Sequence, residues 1–526
     1  MANTTVDSHL VISKIRINYC SLFFSVLCLT LTGFGVSGAQ AADWKLIPIV
    51  SLTETHTDNV RLLADGKEES ANITQLSPGF SISGNGQRLK LHANYVMQNS
   101  YYSGVTSETK TNHLLHANAN IAFVQNLLFL DSNASITQQN MTPFGQVTDN
   151  NLNLSTNKVD VRTYSATPYL HHNFDNKLTG ELRYTYDSVM SSATTNTNVS
   201  PNSTSDSVRV GLSSGSAFKT TNWGLNYNVQ HIHFEKQAPL ETEMLTLNFA
   251  YSISPLLKAT ATAGHEKNTY VSLGEKPPGN FGTFGFAWSP TQRTNLVFNA
   301  GQRFFGQTYA LTFNHRARLS VWNLGYNEDV TTTRGQFLVP ATNNTSAFLN
   351  QLWQVTIPDA TARQQAVDNF IRDSGLPSAL AQPINTFTNQ VFLQKSLQAS
   401  IGLTGVQNTG VLSVFNNLRE PLSTGGADAI TNPGLLRKIK QTGVNAMWNF
   451  QFSPRTNASM SAGYNKAETV GTTLIDKTKS LRASISRQLQ QKLKASLELR
   501  RLQRDSTLVT GNYEENAVTL YLYLGF

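Results

Sequence analysis

The chain has 526 residues, 40% of them apolar and only 14% charged, with 41 Lys and Arg against 33 Asp and Glu for a net charge of +8. That apolar content excludes a wholly disordered polymer. Beyond the N-terminal region no apolar run reaches the ~18 residues of a membrane-spanning helix, and abundant Asn, Thr, Ser and Gly beside 10% aromatics suit strands joined by polar turns.

At the N-terminus, Lys14 and Arg16 precede an apolar run from Cys20 to Val36, and Ala39-Gln40-Ala41 supplies a small-x-small cleavage pattern. These are the parts of an export signal. Residues 1–41 are therefore expected to be a cleaved signal peptide and 42–526 the mature barrel. Ser, Thr and Gly dilute the apolar run, against a retained anchor, and Leu27 before Cys28 argues against a lipoprotein. Cys20 and Cys28 are the two cysteines of the chain, so the exported part can hold neither a disulfide nor a Cys-ligated metal.

The remainder reads as strand after strand. Trp223, Leu225, Tyr227 and Val229 alternate with Gly224, Asn226 and Asn228, and Leu245, Leu247, Phe249 and Tyr251 alternate with Thr246, Asn248 and Ala250. Val444, Ala446, Trp448, Phe450 and Phe452 alternate with Asn445, Met447, Asn449 and Gln451. A period of two places successive side chains on opposite faces. The second face is small and amide-rich, which favours a water-filled interior over a sandwich core. Tight turns such as Gln125-Asn126, Asp175-Asn176 and Ser453-Pro454-Arg455 alternate with longer polar segments such as 140–157, 191–204, 235–243 and 505–515. Short periplasmic turns and longer outer loops are the asymmetry of a transmembrane antiparallel β-barrel. Counting in this way predicts an all-β barrel of 22 strands, with even numbers from 18 to 24 left open and the pair spanning Tyr309 to Asn327 the hardest to place.

One segment breaks the alternation. Over about residues 333–391, Phe348, Leu349, Leu352 and Trp353 recur at helical spacing, and Ala362, Ala366, Val367, Phe370 and Ile371 do the same after Pro358-Asp359. Asp is a good N-cap, and Gly375-Leu376-Pro377 supplies stop signals. Leaving those large side chains in water costs about 1.5–3 kcal/mol each, and short isolated helices are marginal. The insertion is thus expected to fold into the barrel mouth, with Phe348, Leu352, Trp353 and Phe370 forming a constriction. A surface cap or partner-docking platform is the competing reading.

The final run alternates as cleanly as any. Val518, Leu520, Leu522, Leu524 and Phe526 share one face and Thr519, Tyr521 and Tyr523 the other. Ending on Phe, it resembles the C-terminal signal by which bacterial outer-membrane barrels are recognised by the barrel-assembly machinery.

Charge gathers between Arg437 and Arg504, where 14 Lys or Arg stand against Glu468, Asp476 and Glu498. By parity Arg482, Lys494, Glu498 and Arg500 face the lumen, which predicts a weakly positive pore. At a cell surface, anionic solutes or lipid A phosphates are fitting partners for such charge, and nucleic acid is not. Ordinary solvated charge is the plain alternative.

Catalytic and metal signals are weak. Gly211-Leu212-Ser213-Ser214-Gly215 matches G-x-S-x-G, but the nucleophile elbow needs a strand followed by a helix and here another strand follows. His231 and His233 share one strand face without an evident third ligand, and His171-His172 point to opposite faces. No catalytic residue, metal or cofactor is expected.

Two further stretches carry a family resemblance. The run Trp44-Lys45-Leu46-Ile47-Pro48-Ile49-Val50-Ser51-Leu52-Thr53-Glu54-Thr55, then Thr57-Asp58-Asn59-Val60, and the segment Gln75-Leu76-Ser77-Pro78-Gly79 leading to Arg88-Leu89 and Tyr95, resemble the outer-membrane barrel family associated with PEP-CTERM/exosortase and exopolysaccharide systems of Gram-negative bacteria. Ile357-Pro358-Asp359, Arg363 and Gly375-Leu376-Pro377 look like that family's helical segment. The resemblance implies an outer membrane rich in lipopolysaccharide, with polysaccharide or export-system proteins as neighbours, and no reaction. The expected function is a porin-like channel or export accessory; a non-conducting docking barrel is the alternative, and a barrel enzyme comes third.

Overall fold

The computed structural model describes residues 43–525, apart from 106–107, 149, 193–201, 236–237, 271–278, 339–344, 355, 375–384, 386, 389, 424–436 and 509–510. Residues 1–42, where the signal peptide is expected, and Phe526 lie outside the described residues.

The strands run β1 (Asp43–Thr57), β2 (Ala71–Asn85), β3 (Leu89–Ser103), β4 (Glu108–Val124), β5 (Leu128–Asn140), β6 (Lys158–Phe174), β7 (Leu178–Ser191) and β8 (Ser203–Ser214). Then come β9 (Thr221–Phe234), β10 (Leu240–Ser254), β11 (Leu257–Asn268), β12 (Asn280–Thr291), β13 (Thr294–Arg303), β14 (Gly306–Arg316) and β15 (Ser320–Thr332). After an insertion follow β16 (Val391–Thr404), β17 (Asn408–Pro421), β18 (Ile439–Ser453), β19 (Thr456–Thr469), β20 (Ile475–Gln488), β21 (Leu493–Ser506) and β22 (Tyr513–Gly525). Neighbours in sequence pair antiparallel into one 22-stranded sheet. It closes on itself where β1 meets β22, with Leu52 opposite Leu522 and Thr55 opposite Thr519. Closure removes the unpaired strand edges that lipid could not hydrate.

Alternation sets the two faces. On β22, Val518 and Leu520 are each 46% exposed while Thr519 between them is 1% exposed, so the apolar row points outward. Exposed aromatics gather at two levels of this outer face. Trp44, Phe174, Trp288, Trp322, Trp448 and Phe452 stand near the short turns, and Tyr101, Tyr164, Tyr186, Tyr309 and Tyr464 stand further toward the long loops. Aromatic girdles bounding an apolar band are what the two bilayer interfaces select. The wall is a membrane wall.

The insertion occupies the expected stretch between β15 and β16. It holds α1 (Thr333–Leu338), α2 (Thr345–Leu352) and α3 (Ala360–Ser374). Asp359 caps α3 by accepting a 2.7 Å hydrogen bond from the Ala362 amide, satisfying one of the orphan donors of the first turn. The stop signal Gly375-Leu376-Pro377 falls outside the described residues.

Candidate functional site

The lumen is the candidate site, and the inner faces of the strands build it. Ser400, Ser413, Asn445 and Ser461 line β16 to β19 on the face opposite the outward Leu403, Leu412, Val444 and Met460. Small hydroxyl and amide side chains of this kind present water with hydrogen-bonding groups and leave space between the walls.

One patch of the inner wall departs from that chemistry. Val321, Gly402, Val411 and Met447 stand side by side in a single row across β15, β16, β17 and β18. All four lie close to the short turns, at the end of the barrel away from the long loops. Phe348, Leu349 and Leu352 of α2 and Val367 of α3 are buried with Val321, Val411 and Met447, and Trp353, Phe370 and Ile371 pack against the same cluster. Trp353 meets Phe370 edge to face at 5.0 Å. Gly402 is required here. A Cβ at that position would lie 2.7 Å from the Phe348 ring.

One expectation changes as a result. The helices do not rest at the loop-bearing mouth but lodge toward the opposite end, because that is where the wall offers an apolar row. Phe348 and Leu352 are buried in this contact, and Trp353 and Phe370 are partly buried beside them. The polar Gln351 and Gln354 stay exposed, and Gln354 bonds Arg316 of the neighbouring wall.

At the loop-bearing end, α1 ties the insertion to a different part of the wall. Arg334 forms an ion pair with Asp187 of β7, the two side chains being 2% and 8% exposed. Burial pulls the Arg334 guanidinium down to about 10, so it is charged at neutral pH and depends on that carboxylate. Thr333 Oγ1 donates to the Thr388 carbonyl at 3.0 Å, and the Thr388 amide donates back at 3.2 Å. Arg419 of β17 donates to Gln336 Oε1 at 2.7 Å. Phe337 and Phe387 pack edge to face at 5.2 Å beside Val161 and Val189.

A second inward element is the segment joining β5 to β6, read from the sequence only as a polar loop. Leu152 and Leu154 are buried against Val60, Ala71, Ile73 and Tyr102. The Leu154 amide donates to the Val60 carbonyl at 2.9 Å. Glu515 of β22, fully buried, is the polar node of this region. Its carboxylate accepts from Asn153 Nδ2, Thr57 Oγ1 and Arg500 Nη2, each at 2.8 Å. Tyr513 Oη donates to the Val147 carbonyl at 3.0 Å. A signal for this contact does exist in the sequence: Ile73 and Tyr102 fall on the inward parity of their strands, where an unobstructed water-facing wall would carry polar groups.

The charged residues singled out for the pore all lie on the inner wall, but the two arginines among them each face a carboxylate. Arg482 Nε is 3.3 Å from Glu498, Arg500 pairs with Glu515 at 2.8 Å, and Arg504 pairs with Asp476 at 2.5 Å. Lys494 sits at the turn-proximal end of β21, opposite Gln488 and Tyr523. The positive field expected from Arg482 and Arg500 is therefore offset by Glu498 and Glu515, the latter because β22 extends further than the sequence reading placed it.

Elsewhere, Gly211-Leu212-Ser213-Ser214-Gly215 ends β8 and leads through a turn into β9, so Ser213 is a strand residue. His231 stands between Asp206 and Glu241 on neighbouring strands, at 3.4 and 3.6 Å. His171 faces Glu181 at 3.7 Å. Val518, Leu520, Leu522 and Leu524 form the outward row of β22.

No protein-family model matches the chain, and no curated protein matches it in sequence. Among solved structures it is similar to the FrpB iron transporter from Neisseria meningitidis, with 10% identity over 91% of this chain and 82% of that one and a TM-score of 0.47. The siderophore receptor PirA from Acinetobacter baumannii matches with 8% identity over 93% and 81% of the two chains and a TM-score of 0.46. OccK5 (OpdH) from Pseudomonas aeruginosa matches with 8% identity over 92% and 98% and a TM-score of 0.32.

Proposed function

We propose that the chain is an outer-membrane channel for polar solutes, narrowed from within by its own helical insertion. The observation that carries the reading is the docking of α2, with α3 packed on it, against the inner row Val321, Gly402, Val411 and Met447 of a wall whose outer face is apolar. A barrel of this size is too wide for wall side chains to fill, and the insertion takes up part of that space. The apolar faces of the helices are spent on the wall, which removes the reason for reading them as an exposed docking platform. The resemblance of the first strands and of the helical segment to the PEP-CTERM-associated barrels supports a place beside exopolysaccharide export.

Planar-bilayer recording of the purified chain tests the proposal, beside a variant in which Asn343 to Pro377 is replaced by a short Gly/Ser linker. The variant is expected to form discrete channels of clearly higher conductance than the wild type. A correctly assembled deletion variant that conducts no better than the intact chain would leave the second reading, a non-conducting structural barrel.

A further inference from the structure

Cations on the outer wall are not spread evenly around the barrel. Near the loop-bearing ends of β18 to β21, outward parity brings together Lys440, Lys466, Lys477, Lys479 and Arg501. They share their faces with the exposed apolar Val444, Met460, Leu481 and Leu499 lower on the same strands, so they stand directly above the apolar band. On the outer face of β6 to β10 the corresponding ends carry Asp160, Asp206, Glu241 and Glu243 against Lys158 and Arg162. One arc is basic, and the arc across the barrel is acidic.

The basic arc is also built against its own electrostatics. Lys466 and Lys477 are directly opposite in the β19–β20 register, a placement that destabilises a sheet when the charges are alike. Some relief comes from acids on the same face. Glu468 bonds Lys466 and lies 3.8 Å from Lys440, Asp505 pairs with Lys479 at 3.1 Å, and Glu514 pairs with Arg501 at 2.8 Å. Lys477 stands opposite Asp505 across β20–β21 but makes no ion pair among the described residues, because Asp505 pairs with Lys479, which keeps 51% of its side chain exposed. A multivalent anion held at the level of the membrane interface would complete this cluster.

We infer that the β18–β21 arc is a binding site for the phosphorylated headgroup of a glycolipid in the outer leaflet. The lower apolar residues contact its acyl chains while Lys440, Lys466, Lys477 and Lys479 contact its phosphates. A phosphate bearing two negative charges satisfies several ammonium groups at once, and a lipid anchors it at the height where these lysines stand. The inference rests on the outer-membrane reading and adds a ligand class to the outer wall, apart from the lumen.

The experiment is native mass spectrometry of the detergent-purified full chain titrated with bisphosphorylated lipid A, chemically dephosphorylated lipid A or inorganic phosphate. The comparison variant is the triple substitution K466Q/K477Q/K479Q, whose folding is checked by heat-modifiability on gels. Lipid A should bind the wild type about tenfold or more tightly than the triple variant, with an affinity that falls as salt rises, and the dephosphorylated form should bind both weakly. Equal binding of the dephosphorylated lipid, or full retention of lipid A by the triple variant, overturns the inference. Saturation by inorganic phosphate at the same concentrations overturns the lipid assignment. So does salt-sensitive self-association lost equally in K466Q/K477Q/K479Q and in E241Q/E243Q, which would assign the basic arc to the acidic arc of a second copy. Membrane fractionation of the same variants is read separately, so a protein found outside the outer membrane counts against the proposed function and not against phosphate recognition.

Discussion

The Phe348 ring fills the space that a side chain at position 402 would take, its nearest atom 2.7 Å from the place of a Cβ on Gly402. This contact joins the helical insertion to the inner wall. Gly402→Val should force the ring away at a cost of about 1–3 kcal/mol, as overpacking a tight site does. The expected readouts are faster proteolysis of the insertion and larger conductance fluctuations. Gly325→Ala, on the same lumenal face with nothing within 4 Å of its Cβ position, is the control expected to change neither. Identical behaviour of the two variants would mean that the contact does not hold the helices.

Asp187→Asn should loosen α1 more than removing both members of its ion pair. The single change leaves the Arg334 cation buried without a carboxylate, which typically costs about 3–5 kcal/mol. Asp187→Asn combined with Arg334→Met should recover much of that loss. Hydrogen exchange over Thr333–Leu338 is the measurement, and a double variant no better protected than the single one would rule out this account.

Glu515 gathers Arg500, Thr57 and Asn153 around one buried carboxylate. Glu515→Ala should therefore free the β5–β6 segment as well as weaken β22, since Arg500 and Asn153 lose their acceptor together. Limited proteolysis should show new cleavage between residues 141 and 157. Glu514→Ala, which removes an exposed pair with Arg501, should leave that segment protected, because such pairs contribute at most about 1 kcal/mol.

Ion selectivity should be weak in the wild type, since Arg482, Arg500 and Arg504 each face a carboxylate and salt screens what remains over about 8 Å. Glu498→Gln removes the partner of Arg482, and reversal potentials under a salt gradient should move toward anions. A shift toward cations would show that Arg482 does not set the local field.

Some parts of the molecule were readable from local pattern alone. Strand parity on β18 and β22, the bounds of the insertion and the Asp359 cap all depend on residues within a few positions of one another. The pair spanning Tyr309 to Asn327 was the hardest to place because β14 and β15 turn at Ala317-Arg318-Leu319 without the Pro, Asn or Gly that usually marks a turn. Met447 was not legible as a docking residue, since it falls on a face read as a whole as small and amide-rich and its partners Val411 and Phe348 lie on other elements.

The sequence by itself determined that this chain closes as an antiparallel barrel with an apolar outside and a polar inside, because period-two alternation acts over neighbouring residues and constrains every strand in turn. It also determined that two short helices interrupt the wall. Only the tertiary structure decided where those helices go, since the row Val321, Gly402, Val411 and Met447 exists only once four strands are in register. The same holds for the pairing of Arg334 with Asp187, which lie 147 positions apart, and of Asn153 with Glu515, which lie 362 apart. No local periodicity records which distant charge a buried side chain will meet. That is settled by barrel closure, which places both groups in one enclosed space and makes leaving either unpaired costly.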